Sequence, residues 1–456
     1  FAGTGALPGE HARSPCPPAT PSHALVLPMM RFLFLLAVTC LLGACQSQPP
    51  VRLMPPPEAF VKSENNLFSV NQNLKPSENI QVFYATNRKP VGGPDNQSYS
   101  RTPTDDLHLG VADLSIGGGE ITWEALYKLS TQADGEDLRP EILLTSLHQK
   151  AQVSPLLGDS SGGADGLAFF RLIDQALAAS NDKNLTIYVH GANTGVQRAT
   201  AQAAQYRHFT GRNSVVLSYI WPSAESFLRF SQDVANTART APTFAHLIRM
   251  LSLHTQARQI NVIAYSSGAM VASGGLARLD TPDPRFPPDS LRLGEVYYAA
   301  PDADFRTFVG YLQRQKGIGK RATVAINMND SVLMWSSLHQ RASRAGRPDL
   351  TELSGEDTRW LLQAAADDAI DVLWVKPEGL PGLAQRSHTF WYDHPWVSTD
   401  LLLKMLFGLP PTERGLDPGV SPQGVKYWEF PADYGQRLWQ LMQQLKEQPV
   451  KEPPAG

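Results

Sequence analysis

The chain has 456 residues, 42% of them hydrophobic, enough for one large domain or two ordinary ones. Its formal net charge is −3, with no basic tract and no interleaving of aromatic with basic residues, which argues against a nucleic-acid partner and against a broad steering field. Of the three cysteines, Cys16, Cys40 and Cys45, only Cys45 would survive cleavage at that residue, which would leave no intramolecular disulfide and no thiolate metal site.

Residues 1–28 carry no targeting pattern and read as translated sequence upstream of a start at Met29 or Met30. Arg31 then precedes an apolar run, 32–42, which has the length of a signal-peptide h-region and is too short to span a bilayer comfortably. Leu42-Gly43-Ala44-Cys45 resembles a bacterial lipobox, in which the cysteine is lipidated and becomes the first mature residue. An uncleaved membrane anchor is the alternative. Gln46, which is not Asp, favours the outer membrane, facing the periplasm, by resemblance to enterobacterial sorting. The expected partner on this side is therefore a membrane, through Cys45.

Residues 45–77 are rich in Pro, Gln, Asn and Ser and read as a flexible tether. Strands are expected at 80–85, at 109–116 (closed by Gly117-Gly118-Gly119) and at 141–147, with a Gly/Ser-rich loop at 154–166. This region, 78–166, would extend or cover a core at 167–410. There, helices alternate with apolar strands: helix 167–179, strand 185–189, helix 195–209, strand 214–219, helix 229–255, strand 260–265, a helix from 267, strand 293–300, helix 303–314, strand 323–328, strand 370–375 and helix 396–407. Strands apolar on both faces and separated by helices predict an α/β fold, a mostly parallel sheet covered on both sides. A C-terminal extension, 411–456, carries one amphipathic helix at 434–446 and a Pro-rich tail.

The most informative stretch is QINVIAYSSG, 259–268. An apolar run meets Ser266, Gly268 follows two residues later, and a segment of small helix-compatible residues begins. This resembles the nucleophile elbow of α/β-hydrolases, a strained strand-to-helix turn that needs small residues two before and two after the serine. Here they are Ala264 and Gly268. A serine hydroxyl needs an adjacent base, and the resemblance implies the chain order Ser, Asp/Glu, His. Asp330 follows the strand 323–328, and His388 lies in the loop after 370–375, so both stand where such partners would. Asp302, after the preceding strand, is a rival acid or else a helix cap. His394 is a rival base or a packing histidine. The HG pair His190-Gly191, after strand 185–189, resembles the family's oxyanion loop. The expected donors are the backbone N–H groups of Ala192 and Ser267. His190 itself reads as structural. Trp221-Pro222 reads as a packing and turn feature, Asp233 as a solvated helix residue, and His246 and His254 as solvated or capping.

VFYATNR, YVHGANTG, SYIWPS, IAYSSG, YYAAPDADF, NMNDSVL and SHTFWYDHP together resemble one poorly characterised bacterial family of α/β-hydrolases, often lipoproteins or secreted proteins, over roughly 78–408. Its usual elbow is closer to AHSMG, so Tyr265 and Ser267 depart from it. The resemblance implies an envelope serine hydrolase with the triad Ser266, Asp330 and His388, working through an acyl-enzyme without metal or organic cofactor. The expected substrate is a small-molecule or lipid ester, with thioesters and amides behind. The alternatives are an acyltransferase, or a non-catalytic binding or assembly module on a hydrolase fold.

Overall fold

In the computed structural model, Gly3 and residues 49–61, 66–93, 97–132, 138–155, 161–225, 229–287 and 290–447 are described. The chain divides into two units, Phe1–Pro49 and Pro50–Gly456. The architecture below is that of the second. Cys45, the apolar run 32–42 and the Pro-rich tail lie outside the described residues. No helix among the described residues is long and apolar enough to cross a membrane.

The chain begins with a short helix α1 (Glu58–Val61), strands β1 (Asn79–Val91) and β2 (Ser98–Ile116), helix α2 (Trp123–Thr131), strand β3 (Ile142–Val153) and helix α3 (Gly163–Ala179). The alternation follows: β4 (Leu185–Val189), α4 (Val196–Phe209), β5 (Val215–Ile220), α5 (Phe230–His254), β6 (Ile260–Tyr265), α6 (Gly268–Leu276), β7 (Leu293–Ala299), α7 (Phe305–Gln315), β8 (Arg321–Ile326), α8 (Ser331–Gln340), α9 (Gly355–Ala366) and β9 (Ile370–Trp374). Helices α10 (Phe390–Asp393) and α11 (Pro395–Phe407), strands β10 (Asp417–Val420) and β11 (Lys426–Glu429) and helix α12 (Tyr434–Glu447) complete it.

Among the described residues, the strands form one sheet in the order β10-β11-β9-β8-β7-β6-β4-β5-β1-β2-β3. The run from β1 to β11 through the centre pairs in parallel. The antiparallel pairs sit at the two edges. Strands β4 to β7 are buried at every position. Successive side chains point to opposite faces, and the core divides accordingly. Ile187, Val189, Val262 and Ala264 face one apolar layer with α3, α5 and α7. Tyr188, Ile263 and Tyr265 face the other, with α4 and α11. Burying one such side chain stabilises by roughly 1.5–3 kcal/mol, more than any local preference of these short segments. That is why continuous apolar runs become central strands of an α/β sheet, as the sequence predicts.

Three expectations need correction. Residues 50–61 and 66–76 are not a free tether. Leu53, Phe60 and Phe68 are buried, Met54 N–H donates to the Gln205 side chain at 2.7 Å, and Phe60 packs edge-on against Phe68 and Phe209. The C-terminal extension is more than a helix, because β10 and β11 add a hairpin to the sheet edge. His246 is neither solvated nor capping. It is buried in α5 against the Phe286 ring. His254 stacks on Phe170 with ring centroids 5.2 Å apart.

Burial, aided by Arg285, pushes the His246 imidazole down to about 4. The folded state therefore holds it neutral while the unfolded chain protonates it below its ordinary value near 6.5. The stability it contributes is complete above that value and is lost as pH falls toward about 4. His246→Phe is expected to flatten this acid limb, read as melting temperature against pH for the two proteins. An unchanged slope between those pH values would show that His246 is solvated in the folded state.

Candidate active site

The central connections reverse direction at one place. From β4 the chain crosses to β5 on one side, returns to β6 on the other side of β4, and then proceeds through β7, β8 and β9. Ligands in open α/β sheets bind at such a switch point, outside the carboxyl ends of the strands. The loop after β4 begins with His190-Gly191 and the turn after β6 is Ser266-Ser267, so both motifs open onto this crevice.

Ser266 has φ of 53°, a left-handed conformation that costs a non-glycine residue energy and must be imposed by its surroundings. Three backbone hydrogen bonds impose it. Ser266 N–H donates to Ala299, and Ser266 C=O accepts from Ala269 and Asp302, each at 3.0 Å. Gly268 is required for space, since a Cβ there would lie 2.4 Å from the His190 carbonyl oxygen. A Cβ at Gly191 would lie 3.0 Å from Ser266 Cβ, so the HG loop passes directly over the serine.

His388 bridges the serine and the acid. Its Nε2 lies 2.8 Å from Ser266 Oγ and its Nδ1 lies 2.6 Å from Asp330 Oδ2. The Asp330 carboxylate accepts at Nδ1, which fixes the tautomer with a proton there and leaves the Nε2 lone pair facing the hydroxyl. Asp330 is fully buried and holds a second post. Its Oδ1 accepts from the N–H groups of Val332 and Leu333 at 2.9 and 3.0 Å, capping α8. The cap locks the carboxylate in the orientation that His388 needs.

The rivals are placed elsewhere. Asp302 is buried behind the elbow. Its Oδ1 accepts from Arg344 Nε at 2.6 Å and from the Ser336 hydroxyl at 2.7 Å, and its Oδ2 from the Ser267 hydroxyl at 3.1 Å. It does not cap the next helix; Asp304 does, accepting from Thr307 N–H at 2.9 Å. His394 caps α11, its Nδ1 accepting from Trp396 N–H at 3.2 Å. His190 is fully buried, stacks on Trp221 and holds the Gly191 carbonyl through Nδ1 at 2.7 Å. Burial, with Arg88 nearby, pushes this imidazole down to about 3, so it remains neutral and structural.

Ser267 is buried at the start of α6, and among the described residues neither its N–H nor that of Ala192 donates to a protein acceptor. Buried N–H groups without acceptors are rare. The loop carrying Ala192 is held from below by two residues. Arg88, wholly buried in β1, donates to the carbonyls of Thr194 and Trp221 at 2.7 and 2.9 Å and pairs with Glu225 at 2.6 Å. Asp233 accepts from the N–H groups of Ala224 and Asn193 at 2.5 and 3.3 Å. It is buried, not solvated, and burial pushes its carboxyl up to about 6 against those hydrogen bonds. Tyr265 packs its ring against His388 at 5.3 Å and Trp391 at 5.9 Å, so the departure from the usual elbow supports the imidazole. Sequence reasoning singled out neither Arg88 nor Arg344, and it read Asp233 as solvent-facing. The only signal was a charged Arg88 shortly after the apolar run Val82-Phe83-Tyr84-Ala85. Among the described residues, no group of three or more His, Cys, Asp or Glu could hold a metal ion.

Residues 168–380 match the model of a family described as "Alpha/beta hydrolase of unknown function (DUF900)". The match contains the HG loop, Ser266 and Asp330 and ends before His388. No curated protein matches the chain. A lipase-esterase related protein of known structure from Clostridium acetobutylicum ATCC 824 is 15% identical, covering 43% of this chain and 74% of that one with a TM-score of 0.19. That score is too low to carry an argument. The mostly parallel sheet agrees with that match: the chain has an α/β-hydrolase fold, and residues 168–380 are similar to the family of unknown function.

Proposed function

We propose that the protein is a serine hydrolase that cleaves carboxylic esters through an acyl-enzyme. The observation that carries this reading is the continuous hydrogen-bonded line from Ser266 Oγ through His388 to Asp330, at 2.8 and 2.6 Å. In the proposed reaction His388 Nε2 takes the Ser266 proton as Oγ attacks the ester carbonyl. The N–H groups of Ser267 and Ala192 receive the negative charge on the carbonyl oxygen. His388 then gives the proton to the departing alkoxide, and a water repeats the sequence to release the acid. Asp330 holds the tautomer and stabilises the imidazolium. A fluorophosphonate probe is expected to label the wild type and not Ser266→Ala. Equal labelling of the two would remove Ser266 from its role.

We also propose that lipidation of Cys45 anchors this enzyme in a bacterial envelope, facing the periplasm. The lipobox-like Leu42-Gly43-Ala44-Cys45 supports it. Cys45→Ser is expected to move the protein from the membrane fraction to the soluble fraction. Membrane retention of that variant would refute lipid anchoring at Cys45.

A further inference from the structure

A cavity of about 610 Å³ lies under the carboxyl halves of β8 and β9, with Met328 and Leu338 from either side of Asp330 in its wall. Val324, Ile326 and Val372 form its sheet side, and Phe308 of α7 and Leu361 of α9 stand against them. Ser266, Asp330 and His388 are not among its walls. The turn 343–347 has residues on both sides of this wall. Ser343, Ala345 and Arg347 face the cavity, whereas Arg344 between them binds Asp302 behind the elbow. Protein interiors are close-packed, with few voids larger than a water molecule. This volume falls within the range of sites that enclose a small organic ligand, roughly 300–1,000 Å³.

The mouth has a different character from the floor. Leu338 is 75% exposed there, and two arginines stand beside it. Arg341 is exposed, and among the described residues its guanidinium has no hydrogen-bonded acceptor. Arg347 uses Nε on the Met328 carbonyl at 2.9 Å, which leaves its two terminal nitrogens. The two acids at the rim are engaged within their own loop. Glu352 accepts from the Ser343 N–H at 2.9 Å and hydroxyl at 3.0 Å, and Asp349 from the Thr351 N–H at 3.0 Å and hydroxyl at 2.7 Å. An apolar floor with guanidinium donors at its lip fits a molecule with an apolar tail and a flat anionic head, since the arginine fork matches a carboxylate bidentately.

We infer that this cavity is a second, non-catalytic site that binds a long-chain carboxylate, tail inward and head between Arg341 and Arg347. The site does not depend on the proposed esterase activity, and its test is arranged to keep the two apart. Dodecanoate, titrated against a fluorescent fatty acid, is expected to bind at one saturable site. Binding is expected to be equal in the wild type, in Ser266→Ala and in fluorophosphonate-labelled protein. Dodecanol, which lacks the anionic head, is expected to bind roughly tenfold more weakly, the scale of one charge-assisted hydrogen bond. Arg341→Glu with Arg347→Gln is expected to weaken dodecanoate about tenfold and leave dodecanol unchanged. Val372→Trp, which fills the floor, is expected to abolish both. Arg341 is exposed, so Arg341→Glu alone remains a valid arm should Val372→Trp fail to fold. The inference is overturned if dodecanoate does not saturate, if fluorophosphonate labelling displaces it, or if the arginine variants bind it as the wild type does.

Discussion

Asp330→Asn is expected to lower kcat on an ester substrate by roughly ten-thousand-fold while barely moving the melting temperature. The carboxylate has two jobs that this substitution separates. One oxygen caps α8 through Val332 and Leu333, and the other holds His388 Nδ1. Asparagine caps a helix about as well as aspartate, so the cap survives. Its amide cannot supply the charge that stabilises the imidazolium, and an N–H turned toward Nδ1 would favour the wrong tautomer. Asp330→Ala loses the cap as well, at a further cost of about 1 kcal/mol of stability. Ser266→Ala and His388→Ala are each expected to cost about a million-fold, and the double variant no more than either, because residues that act as one unit lose their effect together. A kcat for Asp330→Asn within tenfold of wild type would show that this carboxylate only caps. Asp302→Asn provides the contrast. It disturbs a buried pair with Arg344 behind the elbow, so its effect should appear in the melting temperature.

The parts of this site that were legible in the sequence are those carried by local pattern. Continuous apolar runs at 185–189 and 260–265 announce strands buried on both faces, and a serine framed by Ala264 and Gly268 announces a tight turn. The order of Ser266, Asp330 and His388 follows from strands that all end at one edge of a parallel sheet. The supports of the site were illegible for a physical reason. Arg88 reaches the Thr194 carbonyl across 106 positions, and Arg344 reaches Asp302 across 42. Each partner is a group, often backbone, whose position only the assembled fold defines. Asp233 sits in a helix whose sequence reads as solvent-facing, yet it is buried under the HG loop, where its partners are two N–H groups without sequence identity. The tether expectation for 50–61 and 66–76 failed similarly. Its composition is that of a linker, but Val51, Leu53, Met54, Phe60 and Phe68 among its apolar residues are inserted into the core.

Lys404→Met is expected to destabilise the protein by about 3–5 kcal/mol. Lys404 of α11 is wholly buried, with Nζ 2.6 Å from Glu295 and 3.8 Å from Asp371. Asp371 also pairs with Arg321 at 2.5 Å and with Arg414 at 3.4 Å, and Arg414 pairs with Asp400 at 2.5 Å. Three cations thus face three carboxylates in the interior. Removing one cation leaves a buried negative charge uncompensated, and that penalty exceeds what the pair itself contributed. Lys404→Met combined with Glu295→Leu restores the balance and is expected to recover most of the loss, since apolar replacement of a whole buried pair is often neutral. For a folded unit of this size the single variant should melt about 5 °C lower by calorimetry. A shift below about 1 °C would mean that Lys404 is hydrated in solution. The network joins α11 and Arg414 to the amino ends of β7, β8 and β9, at the opposite edge of the sheet from Ser266. Fluorophosphonate labelling well below the melting temperature should therefore proceed at the wild-type rate in Lys404→Met. A slower rate would mean that strain at the amino edge reaches the elbow through the strands.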